Sequence, residues 1–314
     1  SDLPDVVPWQ GHDFSMRGMF GLEAALISGA AHLLSFTGTD TIPAIDFLEH
    51  FYGANADQAM IGGSVPATEH SVMCLGGQGT ELETYRRLIT TVYPTGIVSI
   101  VSDTWDYWSV LTELLPQLKV DIMARNGKVV IRPDSGDPVK ILCGDPDAEV
   151  GTPARAGSVA LLYDLFGGTV NNKGYKQLDP HIGVIYGDSI TLDRAQAILA
   201  GLAAQGFAST NVVFGIGSYT YQYNTRDTFG FAMKSTYGEI HGQGVPIFKA
   251  PKTDDGVKFS ARGLLRVNPD FTMREEVTWE EEGGALEEVF VDGRLTREHT
   301  LADIRTRLLG ALDG

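Results

Sequence analysis

The stretch Val129–Pro138, VVIRPDSGDP, decides how the chain is read. Val129, Val130 and Ile131 form a short apolar run of buried-strand character, and Ser135-Gly136-Asp137-Pro138 has the composition of a turn. Arg132 and Asp134 stand where the strand opens into that loop. A fixed cation and a carboxylate two residues apart suit ligand reading in an α/β protein, and they equally suit a structural ion pair closing a strand end. Ten residues leave both readings open. Repetition along the chain favours the first.

Counted from Leu33, six strand candidates end in polar or Gly-rich residues: Thr37–Asp40, Ser64–His70, Ser102–Asp103, Arg132–Asp134, Gly187–Asp188 and Gly215–Ser218. The first of these strands is expected over His32–Phe36, after a turn (GHDFSMRG) and an Ala/Gly-rich helical run. Helical runs separate the candidates at the spacing of βα units, among them an amphipathic Thr191–Gln205 with Thr191 as its cap. The expected fold class is therefore α/β, a (β/α) barrel-like domain over residues 1–250. From 251 to 314 the rhythm breaks, and an appended α+β segment is expected. It has strands at Lys258–Val267 and Phe271–Glu280, a hairpin turning at Asp292-Gly293, and a closing helix Leu301–Leu312.

The 314 residues carry a net charge of -16, which disfavours a broad nucleic-acid surface, because phosphate backbones need a basic face. No apolar run in these residues approaches a membrane span, and a secretory signal is not expected. The two cysteines, Cys74 and Cys143, lie far apart without metal spacing and read as ordinary thiols of a reducing compartment, so a cytoplasmic setting is expected. The chain begins without Met. Zinc motifs, Walker loops and dinucleotide fingerprints are missing from the sequence.

In a parallel barrel all strand ends meet on one face. That face would gather Arg17, Arg132 and Arg226 for anions, and glycine N–H groups around Gly217-Ser218 for a phosphate. It would also hold the carboxylates Asp40, Asp103, Asp134 and Asp188, with His70 among them. Taken singly, Asp40 is a helix cap or a ligand contact, and Asp103 caps a helix or touches a metal. His70, beside Glu69 on a Ser/Thr/Gly-rich loop, suits acid–base or nucleophilic work near neutral pH. Phe14 could stack on a flat ring or simply pack. Together the groups suit a phosphorylated sugar.

The stretches HDFSMRG, FTGTDT, SVPATEHS, SIVSDTWDYW, VVIRPDSGDP, NKGYK, VIYGDS and FGIGSYTYQYNTRD, in this order, resemble the C-terminal two-thirds of the nicotinamide phosphoribosyltransferase family. The resemblance implies a type II phosphoribosyltransferase barrel joining nicotinamide to phosphoribosyl pyrophosphate, releasing nicotinamide mononucleotide and pyrophosphate in NAD salvage. Position by position, it implies that Phe14 stacks on the nicotinamide ring and that Asp40, with Arg132 beside it and Ser64 nearby, reads the carboxamide. A carboxylate accepts from an amide NH₂ and repels a carboxylate, so Asp40 should favour nicotinamide over nicotinic acid.

The resemblance further implies that Asp134 holds ribose hydroxyls and that Gly187, Asp188, Gly217 and Ser218 surround the ribose and its 5′-phosphate. Arg17, Arg226, Lys234 and Lys249 would meet the pyrophosphate or ATP phosphates. His70 resembles a histidine phosphorylated by ATP, with Asp103 as a Mg²⁺-linked candidate; Mg²⁺ and ATP are the cofactors implied. The family's N-terminal sheet domain is missing from these 314 residues, so a homodimer or an assembly with a separate N-terminal polypeptide is expected. Two other readings stand beside this one: a nicotinate phosphoribosyltransferase of the same fold, and a non-catalytic nucleotide-binding fragment.

Overall fold

The computed structural model describes residues 4–187, 189–223, 235–247 and 261–310. Six strands make the main sheet: β1 (Gly11–Asp13), β2 (Gly38–Thr39), β3 (Thr95–Val101), β4 (Asn126–Arg132), β5 (Ile182–Tyr186) and β6 (Val212–Ile216). Their order is β2-β1-β6-β5-β4-β3, and every pairing is parallel. Residues 62–68 then join the two edges. Gly63 exchanges backbone hydrogen bonds with Thr37 and Thr39, and Ser99 does so with Pro66 and Thr68. The result is a barrel-like ring whose strand ends share one face, as the βα rhythm predicts.

Alternation along the strands explains the ring. Ile131 of β4 pairs with Ile100 on one side and Val184 on the other, and Val184 pairs with Val212. This row is at most 1% exposed and faces an outer helical layer. Leu115, Leu118 and Ile122 of the helix Leu115–Met123, with Leu162, Ile198 and Leu202 of later helices, pack on it. Burial of each such side chain contributes about 1.5–3 kcal/mol. Val130 and Arg132 take the opposite face, so the run VVIR delivers its guanidinium to the inside of the ring at its C-terminal end.

Two early expectations are corrected. Residues 32–36 are not a strand: the helix α1 (Leu22–His32) runs through His32, and Leu33 is buried against the helix α2 (Pro43–Tyr52) with Ala30, Ala44 and Leu48. The strand is instead the two residues of β2. Conversely, Gly11–Asp13, expected within a turn, is β1, held between β2 and β6. As expected, Thr191 caps its helix by accepting from the Arg194 N–H, and Leu192 beside it is exposed.

The chain divides into two compact units, 1–223 with 300–314, and 224–299. The second contains antiparallel pairs Tyr237–Ile240 with Gln243–Pro246, and Phe290–Val291 with Arg294–Leu295. The latter turns at Asp292-Gly293, both at positive φ, as a type I′ turn requires. The long strands expected around 258–280 are, among the described residues, two-residue strands Arg266–Val267 and Met273–Arg274. The helix Leu301–Gly310, read from sequence with the tail, belongs to the first unit. Leu301 is buried with Leu33 and Ile61, and Arg305 donates to the Leu33 and Ile61 carbonyls at 2.6 and 2.8 Å. Both cysteines are free, and no described helix is long and apolar enough to cross a membrane.

Glu81 opens the helix Glu81–Arg87 with its carboxyl buried, and Oε1 has no hydrogen-bond partner among the described residues. Burial, then the charge of Asp106, pushes its pKa up to about 6. An acid titrating higher folded than unfolded costs stability as pH rises through its folded pKa, and costs nothing below its unfolded pKa. Glu81→Gln should therefore be more stable than the parent at pH 8 by about 1 kcal/mol, with the gap closing toward pH 4. Urea denaturation at the two pH values measures this.

Candidate functional site

The pairing register places the site residues. His12 pairs with Gly38 and Asp13 with Thr39; beyond them, Asp40 N–H donates to the Asp13 carbonyl and Phe14 N–H to the Ile216 carbonyl. Phe14 and Asp40 thus leave neighbouring strands side by side. Phe14 packs against the His12 ring, centroids 4.7 Å apart. Gly215 makes room for this aromatic: a Cβ there would lie 2.6 Å from the Phe14 ring and 2.7 Å from Gly187 Cα.

Phe14, Arg17, Asp40, Ser64, Arg132, Asp134 and Gly187 line one cleft of about 560 Å³, together with Met16, Val65, Ala67 and Glu69. At Asp40, Oδ1 accepts from Ser64 Oγ at 2.5 Å and lies 3.1 Å from His12 Nε2. Burial pushes this carboxyl up, but the His12 and Ser64 hydrogen bonds and the charge of Arg132 outweigh it, holding Asp40 below the ordinary carboxylate range. It is ionised at neutral pH; among the described residues both of its hydrogen-bond partners lie on Oδ1, which leaves Oδ2 for a ligand donor. Sequence reasoning missed His12 as a support for Asp40. The register alone reveals it.

Arg132 is 6% exposed, and its Nε lies 3.4 Å from Asp134 Oδ1. Asp134 lies against the end of β5 only because residue 187 is Gly, where a Cβ would stand 2.1 Å from its carboxylate oxygen. Opposite, Arg17 and Glu69 meet at 3.4 Å across largely exposed side chains. Such a pair contributes little to stability, and its Arg is available to an anion.

Asp103 is no helix cap; Asp106 caps the following helix instead, accepting from the Trp108 and Ser109 N–H groups. Asp103 Oδ2 accepts from Ser135 Oγ at 2.6 Å and from the Asp134 N–H at 2.9 Å, and Oδ1 lies 3.0 Å from His70 Nε2. These bonds outweigh the upward push of burial and keep its pKa low. The His70 ring is 45% exposed while the Asp103 side chain is 5% exposed. With a carboxylate at Nε2, the imidazole carries its proton there and presents Nδ1 as the lone-pair nitrogen. Among the described residues no group of three or more His, Cys, Asp or Glu could hold a metal.

Gly217 and Ser218 follow β6 on the same face, Ser218 against Gly18, where a Cβ would lie 2.3 Å from its Oγ. They are not among the residues lining the cleft. Asp188, Arg226, Lys234 and Lys249 lie outside the described residues.

Fold and cleft together define an α/β barrel-like protein with a charged cleft at the carboxyl ends of its strands. The solved nicotinate-nucleotide pyrophosphorylase from Pyrococcus furiosus superposes with a TM-score of 0.53 at 13% identity, over 99% of this chain and 67% of that one. The nicotinate phosphoribosyltransferase (NAPRTase) family model matches residues 9–291, and the chain belongs to that family. Proteins named nicotinamide phosphoribosyltransferase are among its relatives. The one from Acinetobacter baylyi is 57% identical over 97% of this chain and 62% of its own length. Those of Mycoplasma pneumoniae and Xanthomonas campestris are 39% and 36% identical, over 85% and 97% of this chain and 57% and 64% of theirs. The chain thus spans about three-fifths of the length of these relatives.

Proposed function

We propose that the protein is a nicotinamide phosphoribosyltransferase, forming nicotinamide mononucleotide and pyrophosphate from nicotinamide and phosphoribosyl pyrophosphate in NAD salvage. The observation that carries this reading is the pairing register that sets Phe14 beside an ionised Asp40 whose Oδ2 has no hydrogen-bond partner among the described residues. A flat ring on Phe14 brings its carboxamide NH₂ to that oxygen, and Arg132 faces the carboxamide oxygen.

In the reaction the ring nitrogen bonds to the anomeric carbon as the bond from that carbon to pyrophosphate breaks, through an oxocarbenium-like state. Asp134, set against Gly187, holds the ribose hydroxyls. Gly217 and Ser218 offer backbone N–H groups to the 5′-phosphate. Arg17 takes the charge that develops on the leaving pyrophosphate, a role that the sequence resemblance alone extends to Arg226, Lys234 and Lys249. Mg²⁺ supplies further charge neutralisation when bound. Asp103 is a poor direct ligand for it, since its oxygens already serve Ser135, the Asp134 N–H and His70; a substrate-chelated ion fits better. His70 is the acceptor of a phosphoryl group from ATP at Nδ1, with Asp103 fixing the ring.

A cytoplasmic homodimer, or an assembly with a separate N-terminal polypeptide, belongs to the same reading. The family's name gives a second reading, a nicotinate phosphoribosyltransferase. Initial rates of the full-length protein with phosphoribosyl pyrophosphate and either base, followed by chromatography of the mononucleotide, decide between them. Nicotinamide is expected to be the better substrate by about a hundredfold in kcat/KM. Preference for the acid would support the second reading, and no mononucleotide from either base would leave a nucleotide-binding module.

A further inference from the structure

The short helix Ser218–Gln222 carries three consecutive side chains, Thr220, Tyr221 and Gln222, that each bond to a different neighbouring segment. Gln222 grips the stretch after Arg17 from both sides: its Nε2 donates to the Gly18 carbonyl at 2.6 Å, and its Oε1 accepts from the Phe20 N–H at 2.6 Å. Tyr221 OH lies 3.0 Å from His32 Nδ1, and His32 Nε2 lies 2.8 Å from the Gly38 carbonyl. Thr220 Oγ1 donates to the Ile190 carbonyl at 2.5 Å.

The His32 bonds fix a tautomer. A carbonyl can only accept, so Nε2 carries the proton toward Gly38, and Nδ1 accepts from the tyrosine hydroxyl. The imidazole is buried and is neutral in this arrangement; burial favours the uncharged form. It is therefore a two-ended bridge from the helix after β6 to β2, the strand that leads into Asp40. One arm of the helix reaches the Arg17 segment and the other reaches the Asp40 strand. Neither arm touches the cleft, since Tyr221, Gln222 and His32 are absent from its lining.

We infer that Tyr221 and Gln222 are positioning residues: the helix Ser218–Gln222 is a clamp that holds the anion-binding segment and the amide-reading strand in fixed relation. The geometry of the clamp stands on the hydrogen bonds, and its kinetic consequence rests on the function proposed above. A bidentate side-chain amide and a histidine bridged at both nitrogens restrain their partners in orientation as well as distance, which is what substrate alignment requires. The two arms are separable. Loss of the Gln222 arm frees the Arg17 segment and weakens the grip on pyrophosphate, and loss of the Tyr221 arm frees β2 and weakens the grip on the base.

The test uses the full-length protein with Gln222→Met, Tyr221→Phe and Gln222→Glu, the last keeping the acceptor for Phe20 N–H. Hydrogen exchange should show the Phe20 amide opening about tenfold faster in Gln222→Met and recovering in Gln222→Glu, with residues 38–40 loosening only in Tyr221→Phe. Gln222→Met should raise KM for phosphoribosyl pyrophosphate about fivefold with KM for nicotinamide within about twofold, and Tyr221→Phe should do the reverse. Unchanged exchange in both variants overturns the clamp. Faster exchange with both KM values moved equally, or neither, overturns the positioning role. If the parent protein turns over neither base, the proposed function fails, and the exchange data alone judge the clamp.

Discussion

Asp40→Ser will reduce the preference for nicotinamide over nicotinic acid by about a hundredfold in the ratio of kcat/KM values. The parent carboxylate is fixed by two donors on one oxygen and is held ionised by His12, Ser64 and Arg132. It rewards an amide N–H and meets the acid's carboxylate with like charge in a partly buried place, where such repulsion is poorly screened. Serine removes the repulsion and leaves a hydroxyl that can donate or accept, so the acid should gain as the amide loses. The change in the acid's favour is the informative half. A mere loss of activity with both bases would mean that Asp40 supports the cleft without reading the ring. Ser64→Ala should move the ratio in the same direction and much less, because His12 still holds Oδ1.

His70→Ala should abolish transfer of radiolabel from γ-labelled ATP to the protein and remove the stimulation of mononucleotide synthesis by ATP, a loss of about tenfold to a hundredfold. Binding of the mononucleotide should persist, because Phe14, Asp40 and Asp134 are untouched. Asp103→Asn is the sharper companion. It keeps the size of the side chain and can still accept from Ser135 and from the Asp134 N–H through its oxygen. It then turns an NH₂ toward His70 Nε2, which reverses the tautomer and places the proton on Nδ1. Labelling should fall in that variant with little change in thermal midpoint. Undiminished labelling of His70→Ala would put the phosphoryl acceptor elsewhere.

What the sequence revealed follows from how each residue is held. Arg132 and Asp134 were legible because a seven-residue strand with a clear apolar row ends at Arg132, and alternation does the rest. β1 and β2 were not, because strands of three and two residues are too short to show a period. The run at 32–36 misled for a physical reason: Leu33 is fully buried, as a strand residue would be, but against α2 rather than in a sheet. The supports for the site, His12 behind Asp40 and Ser135 behind Asp103, depend on which residues the ring brings together, and local spacing carries no trace of that. The closing helix was misgrouped because Arg305 bonds to carbonyls more than 200 positions away in the chain.

The alternation on β4 ties folding fidelity to chemistry. If that strand slipped by one position against its neighbours, Ile131 would turn to the interior of the ring and Arg132 would be driven among leucines, with no counter-ion and no water. A polypeptide in that misaligned state would lose its apolar layer and its anion receptor in the same event. Molecules that are well assembled but chemically mis-set at this strand are therefore not a populated product of folding.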